Sequence, residues 1–348
     1  MIGKKERLTE IDLIKLIAMM AVFTVHYTVQ MIYQGVNALA QVFPTQIFNV
    51  YLGTFGVSLF FIASGASLYY VYGQKLEPKT YFKKRFLSIY PMFWMAYLCI
   101  LLFHFIIQDG LPGEVPAWKI VYTITGIDGT MQYYGPNFYQ TGEWFLGVII
   151  GIYLLFPLIR LSFNKKMVLT CAVSGIVMIL FILFWVEDPL PLECVVFVRI
   201  PEFLFGMLYI KYRDRFKLWH IIPAAGIIAL ISFLPQEGVN VMIRNLAVGA
   251  SAFTIMGILF RKIPVNRFTG LLITIGGKYS YAFFLTHHAI IVFFIRLNIG
   301  GTLTRKQVYL LYLLCLVLTA VCTKLLYMLH GRVMKFFNNR QTRALERK

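Results

Sequence analysis

Long apolar runs recur through this sequence from one end to the other. About ten of them are long enough to cross a bilayer, at roughly 9–33, 50–73, 86–107, 143–163, 167–186, 192–212, 218–235, 243–261, 279–297 and 308–330. A backbone in hydrocarbon has no water to satisfy its amides, so each run predicts a helix. The expected fold class is all-α: a polytopic membrane helical bundle of about ten transmembrane helices. The chain has 348 residues, of which 59% are hydrophobic and only 14% charged. That balance excludes the two or three soluble domains such a length could otherwise hold. Residues 1–348 are expected to form a single transmembrane domain with short basic tails.

A net charge of +18 would point to nucleic acid in a soluble protein. Here 24 Lys/Arg fall in the tails and in alternate short loops, against 4 on the other side (Lys119, Arg244, Arg305, Lys306). Orientation explains that asymmetry, so no nucleic-acid partner is expected. The expected localisation is the cell membrane, multi-pass, with both termini cytoplasmic. A cleavable signal ending at Ala38-Leu39-Ala40 is disfavoured, because the first apolar run is too long and many more follow. The five cysteines form no CxxC or CxxH pair, so neither a disulfide framework nor a zinc site is expected.

The first run carries ionisable groups at chosen depths: Asp12, Lys15 and His26. Lys15 and His26 are eleven residues apart, close to three turns, so they share one helix face roughly 16 Å apart. Lys15 belongs near the inner surface and His26 near mid-membrane, where an imidazole is costly unless it faces protein or water. Such a histidine can also simply bond to a neighbouring helix, and a lysine can snorkel.

Further polar groups interrupt later runs. Lys79, Lys83, Lys84 and Arg85 cluster at a cytoplasmic helix start. They read as a topology signal, as a polyphosphate clamp, or as a site for anionic lipid. Glu143 opens the fourth run, where a helix N-terminus favours a carboxylate whatever its role. Arg199 and Glu202, one turn apart, are expected about seven residues deep and deeper in the sixth, either as a self-neutralising pair or as a polar-substrate site. Lys278-Tyr279-Ser280-Tyr281 leads to His287-His288 in the ninth, with His287 close to the depth of His26. Metal binding by His26, His287 and His288 is the rival use, unsupported by ligand spacing, so no metal is expected. The segment 108–142, with Tyr133, Tyr134 and Tyr139, is long for a connector and could cover an acceptor site.

The ordered set of these residues resembles the acyltransferase 3 family of integral-membrane acyltransferases. The likeness runs through Arg7, Ile11-Asp12, Lys15 and His26, then Lys84-Arg85 before Ile89-Tyr90-Pro91. It continues with Trp144-Phe145-Leu146, Tyr153 and Pro157, then Arg199, Glu202-Phe203 and Gly206-Met207, and then Gly277 to Tyr281, Leu285 and His287. Ser88 stands where the family often has a second arginine, and no fused extracytoplasmic domain follows the last run.

The resemblance implies an O-acyltransferase moving an acyl group, with acetyl expected, from cytoplasmic acyl-CoA to a hydroxyl of a cell-surface or exported glycan. Acyl-CoA is then a co-substrate and no cofactor is bound tightly. A polysaccharide-synthesis machinery would be a natural partner. The expected catalytic set is His26, Lys15, His287 and Glu143, with donor binding at Lys84 and Arg85. Asp12, Arg199, Glu202 and Tyr281 are expected to bind acceptor or form a structural polar core. A transporter or flippase for a glycan or lipid-linked precursor, or a membrane scaffold, would use similar ingredients.

Overall fold

A computed structural model of the chain describes residues 6–38, 43–107 and 115–346, with side chains described to residue 336. Lys4, Lys5, the Leu39-Ala40 end of the signal-type motif, the first part of the 108–142 segment and the side chains of the last basic residues lie outside the described residues.

Helices dominate. They are α1 (Thr9–Tyr33), α2 (Leu52–Tyr72), α3 (Pro78–Ile107), α4 (Ile120–Thr125), α5 (Asp128–Met131) and α6 (Glu143–Phe184). There follow α7 (Val196–Lys211), α8 (Ile221–Phe233), α9 (Val241–Phe260), α10 (Arg267–Thr274), α11 (Ser280–Arg296) and α12 (Arg305–Glu346). Among the described residues, seven helices are long and apolar enough to cross a membrane, the stretch Arg267–Arg296 counting as one. Large apolar side chains point outward from them, such as Leu158 on α6, Ile222 on α8 and Leu310 on α12. Water would not tolerate an apolar surface of that extent; lipid does.

The expected break between 163 and 167 falls at Lys166, whose non-helical backbone divides α6 into two helical halves, the second ending at Phe184. Several boundaries differ from the expected ones. The basic cluster lies inside the first turns of α3 rather than before it, because Pro78 can occupy a first helical turn. The sixth run becomes helical only at Val196, so Arg199 sits in the first turn of α7 and not seven residues deep. The ninth is continuous with α10 through a π-helical segment, Ile275–Tyr279.

In lipid the hydrophobic effect cannot hold helices together, so close approach and polar bonds must. Glycines allow the approach of α2 and α7: a side chain at Gly65 would meet the Phe203 backbone, and one at Gly206 that of Ile62. The π-helical segment packs on α1 in the same way, with Gly276 against the Asp12 backbone and Gly277 against its carboxylate. On its other side α1 is tied to α12 by Tyr27, which donates to the Val308 carbonyl at 2.7 Å, and by Thr24 with Tyr312 at 2.9 Å. Since α12 runs back until Tyr327 meets Tyr279, the start of α1 and the later part of α12 share one end of the bundle, the near end.

Candidate active site

The far half of the bundle gathers three histidines. His26 of α1 lies between His287 and His288 of α11, with ring centroids at 5.1 and 5.2 Å and both contacts edge-on. Nδ1 of His287 donates to the Phe284 carbonyl at 2.8 Å, which leaves Nε2 as the free acceptor. That atom is buried and has no hydrogen-bond partner among the described residues. His288 is held at both nitrogens: Nδ1 is 3.2 Å from Glu143 Oε1 and Nε2 is 3.1 Å from the Gln30 amide.

Glu143 reaches this cluster through unusual backbone. Its φ is +42°, in the left-handed region that only glycine adopts freely, and Gly142 before it has φ +103°. The preceding segment is pinned. Thr141 donates to the Leu285 carbonyl at 2.6 Å, and Gln140 accepts from His104 at 2.6 Å. Gly129 clears space for the Glu143 backbone. Tyr139 donates to Glu143 Oε1 at 2.9 Å. Strained backbone so heavily supported is a feature of functional positions. The result is a polar chain, Tyr139–Glu143–His288, with the His26 ring packed against its end.

Ligand atoms of His26, Glu143 and His288 lie within 4.8 Å of one another, the one such trio among the described residues. Bonds of about 2.0–2.2 Å would need those atoms drawn to about 3.4 Å apart. Glu143 Oε1 already takes Tyr139 and His288, so the trio fits a carboxylate–histidine pair set beside His26 more closely than a metal. Sequence spacing is silent here because the three residues come from three helices.

Towards the near end lies a cavity of about 320 Å³. Its polar lining is Lys15, Ser64, Arg85, Ser88, Tyr153, Ser280 and Tyr281. Lys15 donates to Ser67 at 3.2 Å, and Arg85 Nε is buried without a partner among the described residues. A second space of about 260 Å³ shares Arg85, Ile89 and Tyr153 with it and continues along α3. Two cations, one short of hydrogen-bond acceptors, make this cavity suited to an anion. Phe60, Phe145 and Phe284 line its inner end, towards the histidines.

The structure therefore divides the expected site residues. His26, His287 and Glu143 converge. Lys15, Arg85 and Tyr281 line the near-end cavity, with Lys15 on the same face of α1 as His26 and three turns away, and Lys84 is exposed and outside that lining. Asp12 pairs with Arg7 at 2.6 Å against Gly277. Arg199 and Glu202 are 1% and 2% exposed and pair at 3.2 Å, with Ser58 also donating to Glu202. The Glu193 carbonyl accepts from Arg199, whose guanidinium also lies over the Phe61 and Trp144 rings at 5.6 and 5.5 Å. This pair knits α2, α6 and α7 together and lines neither polar cavity. His288, Gln30, Phe60 and Phe284 were not expected in the site. Adjacent His287 and His288 point about 100° apart on a helix, which hides that both can flank a third ring.

A family model described as an acyltransferase domain, acyltransferase 3, matches residues 8–329. The match covers nearly all of the chain, so the protein belongs to this family and is a membrane O-acyltransferase. No curated protein and no solved structure matches it.

Proposed function

We propose that the chain transfers an acetyl group from cytoplasmic acetyl-CoA to a hydroxyl of a cell-surface or exported glycan. The observation that carries this is the pairing of two sites along the same helices. A cationic cavity opens towards the near end, and a histidine–carboxylate cluster lies beyond it. The near end is cytoplasmic in this reading, as the basic tails and loops require. Ten crossings then result, with α6 crossing twice about Lys166 and with α7 and α8 each crossing once, in a single domain of the cell membrane.

The donor's phosphates sit against Lys15 and Arg85, with Lys84 at the mouth, and the thioester points to the histidines. The acceptor hydroxyl arrives from the far side, past Glu143. His26 takes its proton as the oxygen attacks the thioester carbon. The C–O bond forms, the C–S bond breaks, and the proton is returned to the leaving thiolate, so ester and free CoA result. Glu143, held against His288, places its negative charge beside the cluster and offsets the positive charge that develops on His26. His287, with Nε2 free, faces the donor side. No tightly bound cofactor is needed for these steps.

The test uses membrane vesicles from cells expressing the chain, which carry the native acceptor, with labelled acetyl-CoA on the cytoplasmic side. Label should enter vesicle glycan with matching release of CoA, and His26→Gln should remove both. Glycan that moves across the vesicle membrane without CoA release would identify a flippase. Unchanged label transfer on deleting the protein would leave it a scaffold for a polysaccharide-synthesis machinery.

A further inference from the structure

Three helices carry the two sites in the same order. On α1, Lys15, Met19, Val22 and His26 fall at i, i+4, i+7 and i+11, one stripe of a helix. Lys15 lines the 320 Å³ cavity, whereas Met19 and Val22 line a separate void of only about 10 Å³. The other walls of that void are Phe60, Phe283, Phe284 and His287. On α11 the order is Tyr281, Phe284, His287, and on α2 it is Ser64 then Phe60. Phe60 and Phe284 line both spaces, so they form the partition between them. Phe145 backs the partition, with ring centroids 6.0 Å from Phe60 and 5.4 Å from Phe284.

The void is about the size of one water probe. Its walls are apolar apart from the His287 ring, whose Nε2 lacks a partner among the described residues. A two-carbon acyl group can reach this space with small ring movements. Each further methylene must displace a packed phenyl or thioether side chain, and close-packed interiors resist even one such change.

We infer that Phe60 and Phe284, with Met19 and Val22 behind them, form a size filter for the acyl group and restrict this enzyme to two-carbon thioesters over four-carbon ones. The inference rests on the reading that a thioester enters from the Lys15–Arg85 cavity. Phe60 is the specificity-determining residue to vary. Phe284 also holds His287 through its carbonyl, whereas Phe60 makes a ring contact to Phe145 alone among the described residues.

The experiment compares labelled acetyl-, propionyl- and butyryl-CoA in the same vesicles, for the parent and for Phe60→Leu, Phe60→Ala and Val22→Ala. Pockets discriminate by roughly 10–200-fold per methylene. The parent should lose at least about 10-fold in kcat/KM per added methylene. Phe60→Leu and Phe60→Ala should raise the butyryl-to-acetyl ratio in kcat/KM by at least about 10-fold. Val22→Ala should shift the ratio the same way and serves if the Phe60 variants do not accumulate. A parent that uses butyryl-CoA as readily as acetyl-CoA overturns the filter. So do folded Phe60 and Val22 variants that keep the parent ratio. If the parent releases CoA from none of the three donors, the acyl-CoA reading itself fails and the filter goes with it.

Discussion

Nδ1 of His288 stands 3.2 Å from Oε1 of Glu143, while the other nitrogen of the same ring meets the Gln30 amide. A histidine fixed at both nitrogens cannot turn, so it presents one edge to His26. The carboxylate that fixes it sits on left-handed backbone at the start of α6. Orientation of His26 thus depends on three helices meeting correctly.

Replacing His26 with Ala or Gln should lower acyl transfer by about 10²–10⁴-fold while the protein still accumulates and remains folded. Gln retains a hydrogen bond but cannot take the proton. Label transfer per unit of folded protein checks this. Parent-level transfer by folded His26→Gln would remove the base from His26.

Glu143→Gln keeps the shape and deletes the charge. Hydrogen bonds to charged groups contribute about 1.5–3 kcal/mol, so a loss of roughly 10–100-fold in kcat is expected. Tyr139→Phe removes one neutral donor and should cost about 5-fold. A chelator should change neither the parent nor these variants. Activity that falls with chelator and returns with zinc would make His26, Glu143 and His288 a metal centre instead.

Lys15→Met and Arg85→Met should each raise the KM for the donor more than they lower kcat, because phosphate contacts are equal in ground and transition states. Lys84→Ala should raise it less, since Lys84 lies on the exposed side of α3 away from the cavity. Donor titrations in vesicles decide the order. A Lys84 effect equal to that of Arg85 would move the anion site out of the cavity.

Arg199 and Glu202 should behave as a structural pair. Removing either leaves a buried charge and should cost about 3–5 kcal/mol, whereas Arg199→Met with Glu202→Leu should cost much less. Thermal unfolding in detergent measures the difference. Additive losses would mean that the two are independent.

The chain's helical membrane character and the alignment of Lys15 with His26 were legible in the sequence, because hydropathy and the 3.6-residue period are local properties. The boundary at Val196 was not, since Leu192 and Val195 are as apolar as the helix that follows. The break at Lys166 was legible, because Asn164, Lys165 and Lys166 interrupt the apolar run. Glu143 was legible as a helix start, but its partners were not. Tyr139 and His288 meet it only after Thr141 and Gln140 anchor the loop to α11 and α3. Arg199 and Glu202 were legible as partners from their spacing. Their distance from both cavities depended on Ser58 and Trp144, which belong to other helices.

The stripe from Lys15 to His26 sets a condition of phase as well as distance. Eleven residues bring the two side chains almost back into line, about 16 Å apart. Substitutions within that interval alter its lining and leave the alignment intact. Inserting a single residue would turn His26 by about 100° away from Lys15 while adding only about 1.5 Å. Deleting four residues would keep the two within about 20° of alignment and shorten the span by about 6 Å. Change along this part of α1 is therefore tolerated in identity and constrained in number, with the helix screw as the arbiter.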